Sequence, residues 1–289
     1  MDLILTQTLN GLVYGVLLFL LAAGLSLIFG LMGVVNLAHG SFFMLGAFCG
    51  LSIIKYTGSF WWALLLAPIP VAIVAAIIEV FFLRPTYARD RLDQVLLTFG
   101  FSFIITDLVE SLWGRDMFGI EEPDLLDSSI EIFGGVFPTY RLALLCFGVA
   151  VAIGLWILIE KTRAGAMVRA GVDDPNSAMG IGLNVPLLLT ATFAGGAALA
   201  GLAGVVAGPL LNVFSGMDVE MTIPAFVVIV IGGMGSLKGS AIASVLIGVA
   251  DTFGKAYAPS VSMFLIYFAM IVILLIRPAG LYGHRSTGV

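Results

Sequence analysis

Few residues in this chain are equipped for chemistry, and their spacing excludes most of it. His39 and His284 are the only histidines, so no metal-ligand spacing exists. Cys49 and Cys146 each lie inside long apolar runs, which favours packing over a disulfide. No grouping of His, Asp, Glu, Ser and Cys makes a catalytic centre, and no residue is assigned a catalytic role. The phosphate-binding pattern GxxxxGK[ST] is missing. Gly254-Lys255-Ala256 lacks both the hydroxyl after the lysine and the earlier glycine. The chain therefore does not hydrolyse ATP itself, and active pumping has to draw on a partner or an ion gradient.

The remaining candidates are polar groups set in apolar surroundings. Glu79, Asp107, Glu110 and Asp251 lie within or near hydrophobic stretches. Ionisable groups are costly in hydrocarbon and normally face a bundle interior. Glu79 is one turn from Arg84 and reads as interfacial. Asp107 and Glu110, three residues apart, share a helix face near its outer end. Asp251 is placed to meet Lys255 at i, i+4. For Asp107 and Asp251, lining a translocation path and structural pairing both stand open. Residues Asn36 to Ser41 interrupt an apolar run near the cytoplasmic side. Irregular backbone at membrane depth survives only where it finds partners or lines a wet cavity. Asn36 and His39 either border the path or satisfy the amides that the break sets free.

The elements that position these groups follow from composition. Of 289 residues, 60% are apolar and only 11% charged, against about a quarter charged in soluble domains. Such a chain cannot cover itself against water, whereas lipid removes that demand. The expected fold is all-α: a polytopic transmembrane bundle with eight or nine crossings and one or two broken or re-entrant helices. Spans are expected near 5–31, 37–54, 62–83, 94–112, 141–159, 186–208 and 261–276, each close to the roughly 20 residues a crossing needs. The stretch 223–253 is apolar but interrupted at Gly232-Gly233-Met234-Gly235. It is either two short spans or a re-entrant pair. Residues 1–289 read as one transmembrane domain, whose first span is retained rather than cleaved as a signal.

Lys and Arg set the orientation. Arg84, Arg89 and Arg91, then Lys161, Arg163 and Arg169, then Arg277 and Arg285, fall on one side by span counting. That side reads as cytoplasmic, with the N-terminus outside and the C-terminus inside. The loop 113–140 then lies outside, with turns expected at Gly134-Gly135 and Pro138. Net charge is −5 without a basic cluster, which argues against nucleic acid. Gly196, Ala200, Gly204 and Gly208 recur every four residues and read as a packing seam. Gly30-Leu31-Met32-Gly33 is weakly echoed by Gly232-Gly233-Met234-Gly235.

The cytoplasmic segment 160–185 is the most informative. Asp174 suits an N-cap and Pro175 a first helical position, so a short helix is expected over about 175–180, ending at Gly180 or Gly182. It is either an ordinary capped loop helix or a coupling helix that seats on an ATPase. Here the sequence resembles the branched-chain amino acid ABC transporter permease family over nearly its whole length. Similar to that family are Gly24 to Gly30, Asn36 to Ser41, Gly46-Ala47, Arg163 to Gly182, Gly195 to Gly208, Gly232 to Gly235 and Arg277 to Leu281. The resemblance implies that Arg163, Gly165, Arg169, Asp174, Pro175, Ala178, Gly180 and Gly182 couple to a nucleotide-binding subunit. Asp173-Asp174 is more acidic than the family pattern.

The resemblance also implies a second homologous permease subunit, two cytoplasmic ATP-binding subunits and an external solute-binding protein. It implies a home in a bacterial-type cytoplasmic membrane, and no cofactor. Asn36, His39, Asp107 and Asp251 are the candidates for the translocation path. Branched-chain or similar small amino acids are the expected cargo. Urea, short amides or aromatic acids carried by the same machinery are the alternative, and a stand-alone ion-coupled carrier is the reading from a different class.

Overall fold

A computed structural model describes residues 2–132 and 135–283. Helix α1 (Asp2–Met32) leads through an irregular stretch, 33–38, into α2 (His39–Thr57), which stops at left-handed Gly58. Helices α3 (Phe60–Leu66) and α4 (Pro68–Ile78) make one run, because Pro68 sits in a first turn where its missing amide costs nothing. That run closes in a π turn, Glu79–Leu83, and a 3-10 turn, Arg84–Thr86. Helix α5 (Arg91–Trp113) is capped by Asp90, whose carboxylate accepts from the Leu92 amide at 3.3 Å.

The loop after α5 holds an antiparallel hairpin of β1 (Ser129–Ile132) and β2 (Gly135–Pro138), with Ser129 opposite Pro138. The remaining helices are α6 (Thr139–Lys161), α7 (Arg163–Asp173), α8 (Pro175–Gly180), α9 (Val185–Leu211), α10 (Met217–Gly232), α11 (Leu237–Tyr257) and α12 (Ser262–Ile276). The expected helical bundle is present, with the hairpin added where turns alone were expected. Gly134, His284 and Arg285 lie outside the described residues.

Seven helical runs among the described residues are long and apolar enough to cross a bilayer, including α11 within the ambiguous 223–253 stretch. Their mutual packing relies on glycine. Helices α1 and α11 run antiparallel: Gly11 lies against Val249, Gly15 against Ser244 and Gly30 against Gly235. Helices α2 and α9 run parallel, with Gly46 opposite Gly201 and Gly50 opposite Val205. A methyl group at Gly204 would overlap the Phe43 carbonyl, and one at Gly196 would come within 2.8 Å of Gly24 O. The seam read from the sequence is a packing surface, and the two echoed glycine segments meet at one end of the bundle.

These contacts divide the molecule into two ends. The basal end holds Met32, the 3-10 turn after α4, Lys161, the start of α9 and the α10–α11 junction. The apical end holds Thr57, Trp113, the hairpin, Leu211 and Tyr257. Two elements do not run end to end. His39, the first residue of α2, meets Leu21 and Gly24 of α1, which places it about 12–16 Å above Met32 at 1.5 Å per residue. Helix α2 therefore begins near mid-depth. So does α10, because its first turn lies against Gly40 and Ser41. Residues 212–216 descend from the apical end to meet it, pinned by the Phe118–Val213 bridge. The 223–253 stretch is thus a half-depth helix followed by a complete crossing.

Candidate functional site

Where α2 and α10 begin, polar groups gather in the core. Asp218 is only 5% exposed. Its Oδ2 accepts from Ser41 Oγ of α2 and from Thr106 Oγ1 of α5, both at 3.1 Å. One carboxylate thus ties three helices. It lies in the first turn of α10, where the helix dipole favours negative charge. Asn36 and His39 adjoin this centre. Asn36 Oδ1 accepts from the Ala38 amide at 3.0 Å, and Thr98 Oγ1 accepts from the Leu37 amide at 3.2 Å. His39 Nε2 meets the Leu21 carbonyl at 3.0 Å. Asn36 satisfies an amide of the break, whereas His39 ties the start of α2 to the middle of α1. Asp218 Oδ1, His39 Nδ1 and Asn36 Nδ2 find no protein partner among the described residues.

The other acidic candidates do not join this cluster. Asp251 is buried and paired to Lys255 at 2.6 Å, near the apical end of α11. Asp107 projects from the exposed face of α5, beside Phe103, Ile104 and Leu108. Glu110 turns away from it, accepting from Ser215 Oγ and Arg115 Nε, each at 2.7 Å. The two remain three residues apart on α5 near its apical end, but only Glu110 has side-chain partners among the described residues. Glu79 lies at the basal end beside Arg84, and its side chain is fully buried. Arg84 grips it with two nitrogens at 3.2 and 2.9 Å, and Tyr87 Oη and Thr190 Oγ1 donate to it at 2.8 and 2.7 Å. The π turn at Glu79 re-aims this carboxylate toward α9.

At the basal end, α7 and α8 form a jointed element between α6 and α9. Thr162 caps α7 by accepting from the Gly165 amide at 3.2 Å. Asp174 caps α8 by accepting from the Ser177 amide at 3.0 Å, with Pro175 in the first turn as expected. The Ser177 hydrogen bonds hold the Asp174 carboxyl below its ordinary pKa. Asn184 caps α9 at 3.1 Å, after Gly182 supplies a left-handed turn (φ 88°).

The residues of this element face different ways. Arg163, Asp174 and Gly180 are exposed, as are Met179 and Ile181. Gly165 and Ala178 point inward, contrary to an external contact role for them. Any side chain at Gly165 would strike the carbonyls of Leu158 and Ile159, and Ala178 is 3% exposed. Arg169 donates to the Ile159 carbonyl at the end of α6.

A family model described as "Branched-chain amino acid transport system / permease component" matches residues 7–274. The chain belongs to this permease family. BraD, a permease protein of a high-affinity branched-chain amino acid transport system in Pseudomonas aeruginosa, is 30% identical over 97% of this chain and 96% of its own length. Escherichia coli LivH, a permease protein of a system of the same description, is 29% identical over the same shares. Escherichia coli LivM is 25% identical over 91% of this chain and 67% of its own length. As a member of a transporter permease family, the chain is a multi-pass membrane protein and not an enzyme.

Within this permease, Asp218 is the residue that reading the sequence missed. It lies between two apolar stretches, where a ruler of full-length crossings assigns an external loop. The available signal was Gly216 followed by two acids, Asp218 and Glu220, immediately before a long apolar run. That pattern marks a helix start, here one sunk to mid-depth.

Proposed function

We propose that the chain is the membrane-spanning permease subunit of an ATP-driven importer for branched-chain or similar small amino acids. The observation that carries this reading is the match of one permease-family model to almost the whole chain, joined to near-complete coverage of BraD and LivH. Lys and Arg number eight at the basal end, from Arg84 to Arg277, and four at the apical end: Lys55, Arg115, Arg141 and Lys255. This bias makes the basal end cytoplasmic. The α7–α8 element then faces the cytosol, offering Met167, Met179 and Ile181 to a nucleotide-binding subunit. Two such ATP-binding subunits, in a bacterial-type cytoplasmic membrane, complete the motor. The hairpin loop 113–140 meets an external solute-binding protein.

A second permease subunit covers α5. A carboxylate at Asp107, on a face with exposed Phe103, Ile104 and Leu108, is not stable against lipid, so this face borders the corridor between two subunits. LivH is matched along far more of its length than LivM, which favours a heterodimer with a LivM-like partner. The basal element moves α9 through its Asn184 joint, and α9 carries the end of α4 with it through the Glu79–Arg84–Thr190 cluster. Motion of α9 reaches α2 along their glycine contact and alters access at Asp218, Asn36 and His39.

Cysteine crosslinking tests this. In the co-expressed complex, Met179→Cys and Ile181→Cys are expected to capture an ATP-binding subunit, while the inward Ala178→Cys does not. Capture at none of these positions sinks the coupling assignment. One observation favours the stand-alone ion-coupled carrier: an ionisable group, Asp218, at mid-depth. Uptake by the purified chain alone, without ATP or partners, decides for that alternative.

A further inference from the structure

A groove of about 760 Å³ opens at the basal end between the last turns of α1 and α6 and the α10–α11 junction. Its walls include Leu27, Leu31 and Trp156, with Arg169 and Lys238 at its polar side. Glu160 is the one acid among its lining residues, so the groove carries net positive charge. Lys238 is exposed and has no carboxylate within ion-pair distance among the described residues. The contact of Gly30 with Gly235 sets the groove at the span ends, the level of lipid headgroups. Trp156 is partly exposed there, with Lys161 Nζ 5.3 Å from its ring centroid, the arrangement of an interfacial aromatic. The positive end of α11, a 21-residue helix, adds to the field on the same side.

We infer that this groove binds an anionic phospholipid, its phosphate held between Lys238 and Arg169 and its upper acyl chain along Leu27, Leu31 and Trp156. An apolar wall leading from lipid depth to two cations on the same groove fits a diacyl lipid better than a soluble anion. The exposed apolar tips of α7 and α8, Met167, Met179 and Ile181, lie outside the groove, so a protein docked on them leaves it open. The inference needs the chain to sit in a membrane but does not need its cargo or its energy source. Because Arg169 also bridges to the end of α6, a bound lipid would stiffen the joint between α6 and α7.

Native mass spectrometry of the full-length protein, delipidated and titrated with phosphatidylglycerol or phosphatidylcholine, tests it without ATP or transport. Phosphatidylglycerol is expected to be retained preferentially. Lys238→Gln is expected to weaken that retention about fivefold, following about 1 kcal/mol per basic residue at a membrane surface. Lys238→Arg should restore it, and Lys55→Gln at the apical end should leave it unchanged. Equal retention of both lipids, or wild-type retention by Lys238→Gln, overturns the assignment. So does displacement of phosphatidylglycerol by inorganic phosphate, which would mark a free-anion site. Failure of the importer reading would show instead in uptake and crosslinking, leaving these lipid measurements intact.

Discussion

Replacing Gly11 by alanine adds one methyl group where α1 and α11 touch backbone to backbone. That methyl would lie 2.7 Å from Val249 Cα and 3.1 Å from Gly248 O. Carbon atoms pack at about 3.5 Å or more, so the helices must part by about 0.8 Å. A gap of about 0.5–1 Å forfeits a quarter to a half of each dispersion contact along the opened seam. Overpacking of this kind costs about 1–3 kcal/mol. Alanine returns about 1 kcal/mol through helix propensity, leaving a net loss of up to about 2 kcal/mol. Gly154 on α6 supplies the comparison, since nothing lies within 4 Å of a methyl placed there. Gly154→Ala should therefore stabilise by up to about 1 kcal/mol. Unfolding of the purified chain in mixed micelles, titrated with sodium dodecyl sulfate and followed by circular dichroism, measures both. If Gly11→Ala gained as much stability as Gly154→Ala, close backbone contact would not be what holds α1 to α11.

Two further outcomes follow from the polar sites. Asp218→Ala removes the acceptor for Ser41 and Thr106 and should destabilise by about 2–4 kcal/mol in the same titration. Asp218→Asn keeps an acceptor and should lose less; equal losses would show that charge, not hydrogen bonding, holds the joint. The Asp174 carboxyl is held below its ordinary pKa in the folded chain. Its stabilisation of α8 is therefore full above the unfolded-state pKa and fades as pH falls through the lower, folded-state value. Hydrogen exchange at the Ser177 amide should accelerate across that acid window, whereas Asp174→Asn should flatten the dependence.

The sequence disclosed what repeats and what is charged. Apolar runs of crossing length located α1, α5, α6 and α9 to within a few residues, because lipid imposes one length on each. Asp174-Pro175 located α8, since a cap and a proline act locally. The glycines at 196 and 204 announced a seam but not its counterparts on α1 and α2, which depend on register between distant segments. Depth stayed hidden. Nothing in Asn36 to Ser41 or in Gly216 to Glu220 reveals that both segments sit at half height, because that is decided by Leu21, Gly24 and Thr106. The burial of Glu79 stayed hidden for a similar reason: its partner Thr190 is 111 residues away.

Helices α2 and α10 start side by side and run in opposite directions, so two like electrical poles are pressed together with one carboxylate between them. No single helix in that column is continuous from face to face of the membrane. Shifting the start of α2 against the start of α10 therefore exchanges a few hydrogen bonds at one plane, while α1, α9 and α11 run past it unbroken.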